Sequence, residues 1–247
     1  MIRVDQADLK GLSHAQTAAF VQRRVAASAE TDDWIPKRRL PTIAALEELL
    51  PAGLARGAVA NYTGVMSPLL GMVAAASAAG LPTAMVNLPA SPLLAAGLLA
   101  AIEMGGDRDH IFLVDAPQVH VVETLHILAD GFALVVADIG AAALPPSSAK
   151  VLVKRAHTRE CTLVLANGRT RCPGADLRID TELSLAEGLG RGRGYLRVQG
   201  YTVEVTPKGG QRRRGVIRKA PRAGCAGVEW TTVVPEAGVI DLPARTG

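Results

Sequence analysis

Aromatic residues are scarce in this sequence. Of its 247 residues, 3% are Phe, Trp or Tyr, although 49% are hydrophobic and most of these are Ala, Val and Leu. This composition disfavours a β-sandwich anchored on aromatic side chains and suits Ala-rich helices packed on Val-rich strands. It also excludes a chain that is disordered throughout, because enough apolar surface is present to form one sizeable core.

Cysteine is also rare. The three cysteines, Cys161, Cys172 and Cys225, are an odd number, so they cannot form a complete set of disulfides, and no secretory signal opens the chain. We therefore expect a cytoplasmic protein. Because no C-x-x-C pair is present, no metal site is predicted and the thiols are interpreted as buried structural side chains.

Residues 57–102 contain no charged side chain. A membrane-spanning helix needs about 20 predominantly apolar residues. Pro82, Pro89 and Pro92 divide this stretch into pieces that are short or dominated by Ala, Gly and Ser. The stretch is therefore expected to be buried inside a folded domain, and no membrane association is predicted.

The sequence does contain a repeated alternation of predicted apolar strands and helices. Strands are predicted at residues 58–62, 83–87, 110–114, 133–138 and 162–166, with helices between them at residues 69–79, 93–104, 119–129 and 147–159. Short, nearly continuous apolar strands that alternate with helices are typical of a mostly parallel sheet covered by helices on both faces. The predicted fold class is therefore α/β.

The pattern changes after Asn167. Residues 175–185 and 194–207 alternate polar with apolar side chains and are predicted to add antiparallel strands at one edge of the sheet, with Gln199-Gly200 as a turn within the second stretch. Residues 209–227 are rich in Gly and Arg and are predicted to be an exposed loop, followed by a last strand at residues 228–234.

Three parts of the chain are distinguished on these patterns. Residues 1–39 are predicted to form an N-terminal helix, at residues 5–28, and a linker. Residues 40–207 form the core, which opens with a short helix capped by Thr42 and stopped by Pro51. Residues 208–247 form a basic, partly flexible C-terminal segment.

The strand at residues 58–62 is followed by an incomplete phosphate-binding loop. A P-loop has the form G-x-x-x-x-G-K-[ST] and opens a helix whose amides hold the phosphates. Gly64 fills the first place, but the second glycine, the lysine and the hydroxyl are replaced by Leu69, Leu70 and Gly71, and Pro68 removes one amide donor. Since no charge between residues 57 and 102 could neutralise a polyphosphate, no nucleotide cofactor is predicted.

Other catalytic signals are weak as well. Asp138 ends an apolar strand where a P-loop ATPase carries a magnesium-binding acid, but a lone acid of this kind is more often a helix cap or a surface residue. The sequence has no G-x-S-x-G elbow, and no set of nucleophile, base and orienting residue can be assembled. The chain is therefore predicted to have no catalytic residues and no enzymatic activity of its own.

Residues 40–57, with the sequence LPTIAALEELLPAGLARG, resemble the beginning of RecA-family cores. Together with the eroded loop and the strand ending in Asp138, they make the chain similar to RecA-like mutasome accessory proteins of the ImuA/ImuA′ type over roughly residues 40–207. This resemblance implies a non-enzymatic role in damage-induced translesion synthesis. The implied partners are ImuB, a catalytically inactive Y-family polymerase homologue, and, indirectly, an error-prone C-family polymerase.

Two other functions remain open at this point. One is a divergent RecA-like ATPase or recombinase mediator that uses nucleotide in an unusual way. The other is a cell-division inhibitor of the SulA type. The oligomeric state does not follow from the sequence.

Basic residues are concentrated in the second half of the chain. Residues 1–147 hold 9 Lys and Arg against 14 Asp and Glu, whereas residues 148–247 hold 18 against 9. The segment could contact single-stranded DNA, dock an acidic tail of a partner, or be solvated without a specific role. The candidate binding residues are Arg169, Arg171, Arg191, Arg193, Arg197, Lys208, Arg212, Arg213, Arg214, Arg218, Lys219, Arg222 and Trp230, the last with a core role as its alternative.

Overall fold

A small antiparallel ribbon precedes the main sheet in the computed structural model. The structure describes residues 38–50, 53–87, 94–140, 144–167, 171–188, 197–223 and 227–233. Strand β1 (Arg39–Leu40) pairs with β2 (Leu54–Ala55), and helix α1 (Ala44–Glu47) lies between them in the chain. The predicted N-terminal helix at residues 5–28 lies outside the described residues.

The predicted cap of α1 is wrong. The cap position is Ile43, which is extended and makes no side-chain cap bond. The Thr42 hydroxyl is buried and has no hydrogen-bond partner within the described residues. The reason is packing: Ile43 and Leu46 belong to the apolar core, so the helix begins where its apolar side chains reach that core.

A nine-stranded sheet forms the centre of the fold, in the order β11-β10-β9-β8-β3-β7-β6-β4-β5. The six strands β3, β4, β5, β6, β7 and β8 run parallel to one another. Strands β9, β10 and β11 extend the sheet beyond β8 by antiparallel pairing. The strands are β3 (Val59–Gly64), β4 (Thr83–Val86), β5 (Ile111–Val114), β6 (Leu134–Asp138), β7 (Thr162–Ala166), β8 (Leu177–Glu187), β9 (Val198–Pro207), β10 (Arg213–Pro221) and β11 (Val228–Val233).

Helices cover both faces of the parallel strands, as the sequence predicts. They are α2 (Met66–Ala78), α3 (Leu94–Glu103), α4 (Val121–Leu128) and α5 (Pro146–Arg159). One core holds apolar residues of α1, α2, α3 and the antiparallel strands, and a second core holds those of α4 and α5. Strands β4 and β7 are buried along their whole length, which explains their continuous apolar sequences. The α/β fold class is therefore confirmed.

The predicted turn at Gln199-Gly200 is wrong, because both residues lie inside the continuous strand β9. The register between β8 and β9 shifts between Leu183 and Leu185, opposite Gly200. A Cβ atom at Gly200 would come within 2.8 Å of the Leu185 Cβ. Gly200 in the unbroken strand β9 therefore makes room for a β-bulge at Ser184 of β8, a role that resembles a turn signal in sequence.

The predicted loop at residues 209–227 is also wrong in its main part, because residues 213–221 form β10. Ile217 is fully buried and its neighbours are partly buried, while Arg213 and Arg214 at the start of the strand are exposed. The sequence of this strand, RRGVIRKAP, does not alternate polar with apolar residues and therefore gives no strand signal. The last strand predicted at residues 228–234 is confirmed as β11.

No helix among the described residues is long and apolar enough to cross a membrane.

Candidate functional site

The junction between β3 and α2 stands where a P-loop would hold phosphate. Strand β3 ends at Gly64, and α2 begins at Met66 with Val65 as its cap. One residue between strand and helix leaves no loop of successive amides that could surround a phosphate. Leu69 and Leu70, at the places of the glycine and lysine, lie within the helix and are 0% and 8% exposed.

Strand β8 fills the space at the end of β3. Gly64 has a φ of +113°, and a Cβ atom at this position would lie 1.8 Å from the Thr181 carbonyl oxygen of β8. Only glycine therefore allows the two backbones to approach so closely. The Val65 amide donates to the same carbonyl oxygen, with an N···O distance of 3.4 Å.

A buried tyrosine completes this junction. The Tyr62 hydroxyl donates to the Val65 carbonyl oxygen at 2.5 Å and lies 2.9 Å from the Thr181 Oγ1. Burial raises the pKa of the Tyr62 phenol well above its usual range, so the hydroxyl stays protonated as a donor. Protein atoms thus occupy the position at which a P-loop presents its amides to a ligand.

Asp138, at the carboxyl end of β6, is held by neighbouring groups. Its Oδ1 accepts from the Gly140 amide, and its Oδ2 accepts from the Asn167 side-chain amide, both at 2.9 Å. Both carboxylate oxygens therefore serve local structure. Among the described residues, no group of three or more His, Cys, Asp or Glu could hold a metal ion.

Two asparagines that sequence reasoning missed make hydrogen bonds at the carboxyl edge of the sheet. Asn87 follows β4 and exchanges two hydrogen bonds of 2.9 Å with the backbone of Ala116, and Asn167 follows β7. Their φ angles are +54° and +53°, a conformation that asparagine tolerates better than most residues. An asparagine directly after a buried strand is the sequence signal that could have found them.

Among the described residues, Cys161, Cys172 and His157 form no reactive group, and Cys225 lies outside them. Burial raises the pKa of Cys161 to about 12 and that of Cys172 to about 11. The His157 Nε2 lies 2.9 Å from the Asp176 Oδ2, which also accepts from the Val59 amide at 2.8 Å. These contacts connect α5 and the start of β8 to the start of β3, a structural arrangement.

Several predicted binding arginines are paired with acids. Arg212 forms an ion pair with Glu204, and Arg218 with Glu187 at 3.3 Å. Arg214 lies directly opposite Glu204 in the pairing of β10 with β9. Acids of β8 and β9 therefore lie beside three of these arginines, Arg212, Arg214 and Arg218.

Lys219 and Trp230 face the helices. The Lys219 Nζ donates to the Ser67 Oγ of α2 at 3.0 Å, and burial lowers the pKa of this lysine. Trp230 packs beside Tyr201, with ring centroids 5.8 Å apart, and its ring contacts the backbone of α2 where Gly71 leaves room. Both residues therefore help to hold β10 and β11 against the core that contains α1, α2 and α3.

The remaining candidates are exposed but lie apart. Lys208 and Arg213 flank the turn between β9 and β10, while Arg197 and Arg222 lie at the opposite ends of these strands. Arg171 lies in the connection between β7 and β8, which Asn61 and Cys172 hold through a hydrogen bond of 2.8 Å. Arg169, Arg191 and Arg193 lie outside the described residues.

A family model and a related protein each match about half of the chain. The model, described as the MT3502 N-terminal domain, matches residues 48–173. An uncharacterized protein of Mycobacterium tuberculosis, Rv3395c, is 38% identical over 124 residues. That match covers 49% of this chain and spans 58% of the length of the relative.

Two solved structures share the fold. A KaiC-like protein, PH0186, from the archaeon Pyrococcus horikoshii has a TM-score of 0.52 at 15% identity, over 79% of this chain and 100% of that one. The RadB recombinase has a TM-score of 0.51 at 14% identity, over 76% of this chain and 96% of that one. These similarities show a RecA-like fold.

Proposed function

The chain belongs to the MT3502 N-terminal domain family and has a RecA-like fold, and from this premise we propose that it is a non-catalytic adaptor in DNA-damage-induced translesion synthesis. The proposed role is to bind a catalytically inactive Y-family polymerase homologue of the ImuB type in the cytoplasm and, through it, an error-prone C-family polymerase. The resemblance of residues 40–57 and of the eroded loop to ImuA-type proteins supports this choice.

One observation carries the non-catalytic part of the proposal. A single residue, Val65, separates β3 from α2, and Tyr62 and Thr181 fill the space beyond it. A P-loop enzyme needs a ring of free amides and a lysine there. This chain uses the same place to join β3 to β8, which stabilises the fold without a ligand.

A recombinase mediator that uses nucleotide is the second candidate. The similarity to the RadB recombinase favours it at the level of fold. It would need a nucleotide site other than the junction of β3 and α2. Direct measurement of ATP turnover by the purified chain separates this candidate from the adaptor.

Co-purification from damaged cells tests the adaptor proposal. The full chain with an affinity tag is expressed before and after DNA damage, and captured proteins are identified by mass spectrometry. We expect the inactive polymerase homologue among them after damage, and not with an equally tagged unrelated RecA-fold protein. ATP turnover that persists through purification, or capture without any polymerase component, would contradict the proposal.

A further inference from the structure

Basic side chains from three separate segments meet at the amino edge of the sheet. The Arg56 amide donates to the Arg38 carbonyl oxygen at 2.9 Å, and Arg39 pairs with Ala55 in the small ribbon. This ribbon leads directly into the start of β3. We refer to the following residues together as the amino-edge cluster: Arg38, Arg39, Arg56, Lys208 and Arg213.

Hydrogen bonds bring the turn between β9 and β10 to the same edge. The Lys208 amide donates to the Asp176 carbonyl oxygen at 2.7 Å, and the Asp176 carboxylate accepts from the Val59 amide at 2.8 Å. Val59 is the first residue of β3 and follows Arg56 closely in the chain. Lys208 is therefore held beside the segment that carries Arg56.

Contacts of β10 place Arg213 near α1. Gly215 lies two residues after Arg213, so the two share one face of the strand. A Cβ atom at Gly215 would lie 2.6 Å from the Leu49 side chain, which follows α1. Arg213 is thus directed to the side of the sheet that carries α1 and the small ribbon.

The charges of the amino-edge cluster are not neutralised within the described residues. None of its five members has an ion-pair partner there, in contrast to Arg212 and Arg218 on the antiparallel strands. The acids nearby are Glu47 and Glu48 of the α1 region, which are exposed, and Asp176, whose carboxylate accepts from the Val59 amide and lies 2.9 Å from the His157 Nε2; none of them forms an ion pair with the cluster among the described residues. The edge therefore keeps a positive balance.

Arg56 gives the strongest structural reason to expect that an acidic group binds here. Its side chain is partly buried, and its Nε is shielded from solvent without a hydrogen-bond partner among the described residues. A guanidinium that has lost part of its hydration and gained no acid is destabilised. A carboxylate of a partner would offset part of this cost by pairing with the terminal amino groups of Arg56, because the Nε itself is closed to solvent.

The described residues of the amino edge lack the exposed aromatic rings that binders of single-stranded nucleic acid use. Proteins of that kind combine basic grooves with exposed aromatic rings on which bases stack. The described residues that form this part of the edge, 38–50, 53–59, 175–179 and 205–215, include no Phe, Trp or Tyr. We therefore propose that the amino-edge cluster docks an acidic, Asp- and Glu-rich segment of a protein partner.

This inference rests on the proposed function only for the identity of the partner. The surface itself is tested with the full chain and a labelled deca-glutamate peptide by fluorescence anisotropy, with deca-thymidine as the competing polyanion. The charge-reversal variant combines Arg39→Glu with Lys208→Glu. The matched control combines Lys150→Glu with Lys154→Glu, two exposed lysines of α5 that change the net charge equally.

We expect the Arg39→Glu, Lys208→Glu variant to bind deca-glutamate roughly tenfold more weakly, and the α5 control to stay within about twofold, because charge pairs act at short range in salt. A neutral variant, Arg39→Gln with Lys208→Gln, should show a smaller loss of affinity. Because it adds no negative charge, its loss cannot come from new repulsion of the peptide. Equal losses in cluster and control variants would overturn the proposal, and so would tighter binding of deca-thymidine than of deca-glutamate.

The docking surface and the adaptor proposal can each be refuted without refuting the other. If the charge-reversal variant still captures the polymerase homologue as well as the wild type does, the docking surface is refuted and the adaptor stands. If the wild type binds deca-glutamate through the cluster but captures no polymerase component, the adaptor is refuted and the surface stands.

Discussion

At the scale of single residues, the changes that remove a phosphate site also create structural contacts. Gly64 keeps the first place of the P-loop pattern, but its φ of +113° now serves the close approach of β8. Tyr62 supplies a hydroxyl that bonds the backbone of Val65. The residues that would hold a ligand in a P-loop enzyme are here part of the core.

The first prediction concerns the Tyr62 hydroxyl. Tyr62→Phe should lower the free energy of unfolding by about 1 kcal/mol, because the Val65 carbonyl loses the Tyr62 hydroxyl as a donor but keeps the Thr181 Oγ1 at 3.2 Å. Tyr201→Phe is the matched control, since the buried Tyr201 hydroxyl bonds no backbone carbonyl in the described part of the chain. Chemical denaturation measures both variants, and equal destabilisation would contradict the assignment.

The second prediction concerns the thiols. With pKa values raised by burial to about 12 for Cys161 and about 11 for Cys172, few thiolates exist at pH 8. In a Cys225→Ser background, alkylation by iodoacetamide should be roughly a hundredfold slower in the native protein than in denaturant. The native rate should rise with pH as the thiols deprotonate. Rapid native alkylation at pH 8 would show that these cysteines are accessible thiolates.

At the scale of elements, β10 and β11 belong to the sheet. Ile217 of β10 lies in the first core, and the Thr232 hydroxyl of β11 donates to the Ala45 carbonyl oxygen of α1 at 3.4 Å. Lys219 and Trp230 add contacts to α2. A stretch whose composition suggests an exposed loop therefore contributes to the stability of the core.

The third prediction follows from this packing. Ile217→Ala should lower the free energy of unfolding by about 3 kcal/mol, because it opens a cavity in a fully buried position. Val216→Ala on the opposite face, which is partly exposed, should cost about 1 kcal/mol or less. Thermal or urea denaturation distinguishes the two. If the two changes cost the same, β10 would not be integral to the core.

At the scale of the whole molecule, two cores on opposite faces support one sheet. The cores are joined through strands such as β3, whose Ala60 and Val59 belong to different cores. The sheet is therefore stabilised by packing on both of its faces.

The fourth prediction is that millimolar ATP with magnesium leaves the melting temperature of the chain unchanged. A ligand that binds only the native state raises the melting temperature by mass action, so the absence of a shift reports the absence of a site. A P-loop ATPase of the same fold, assayed under the same conditions, serves as the positive control. A clear ATP-dependent rise, abolished by EDTA, would refute the non-catalytic interpretation.

The sequence alone predicted the regular part of this fold. Strand β7 was predicted at its observed residues, and β6 and α5 within one residue at either end, because short apolar strands between helices give a strong local signal. The loss of the P-loop was also readable, since Leu69, Leu70 and Gly71 replace residues whose chemistry has no substitute.

Tertiary structure alone decided the electrostatics and the irregular positions. Whether Arg214 and Arg218 form a basic surface depends on Glu204 and Glu187, which strand pairing brings opposite or beside them. The Gly200 bulge has the same origin. The amino-edge cluster joins residues that are more than a hundred positions apart, such as Arg56 and Lys208. Local patterns determine helices and strands, whereas charge balance and close backbone contacts depend on register and pairing, which no short stretch of sequence contains.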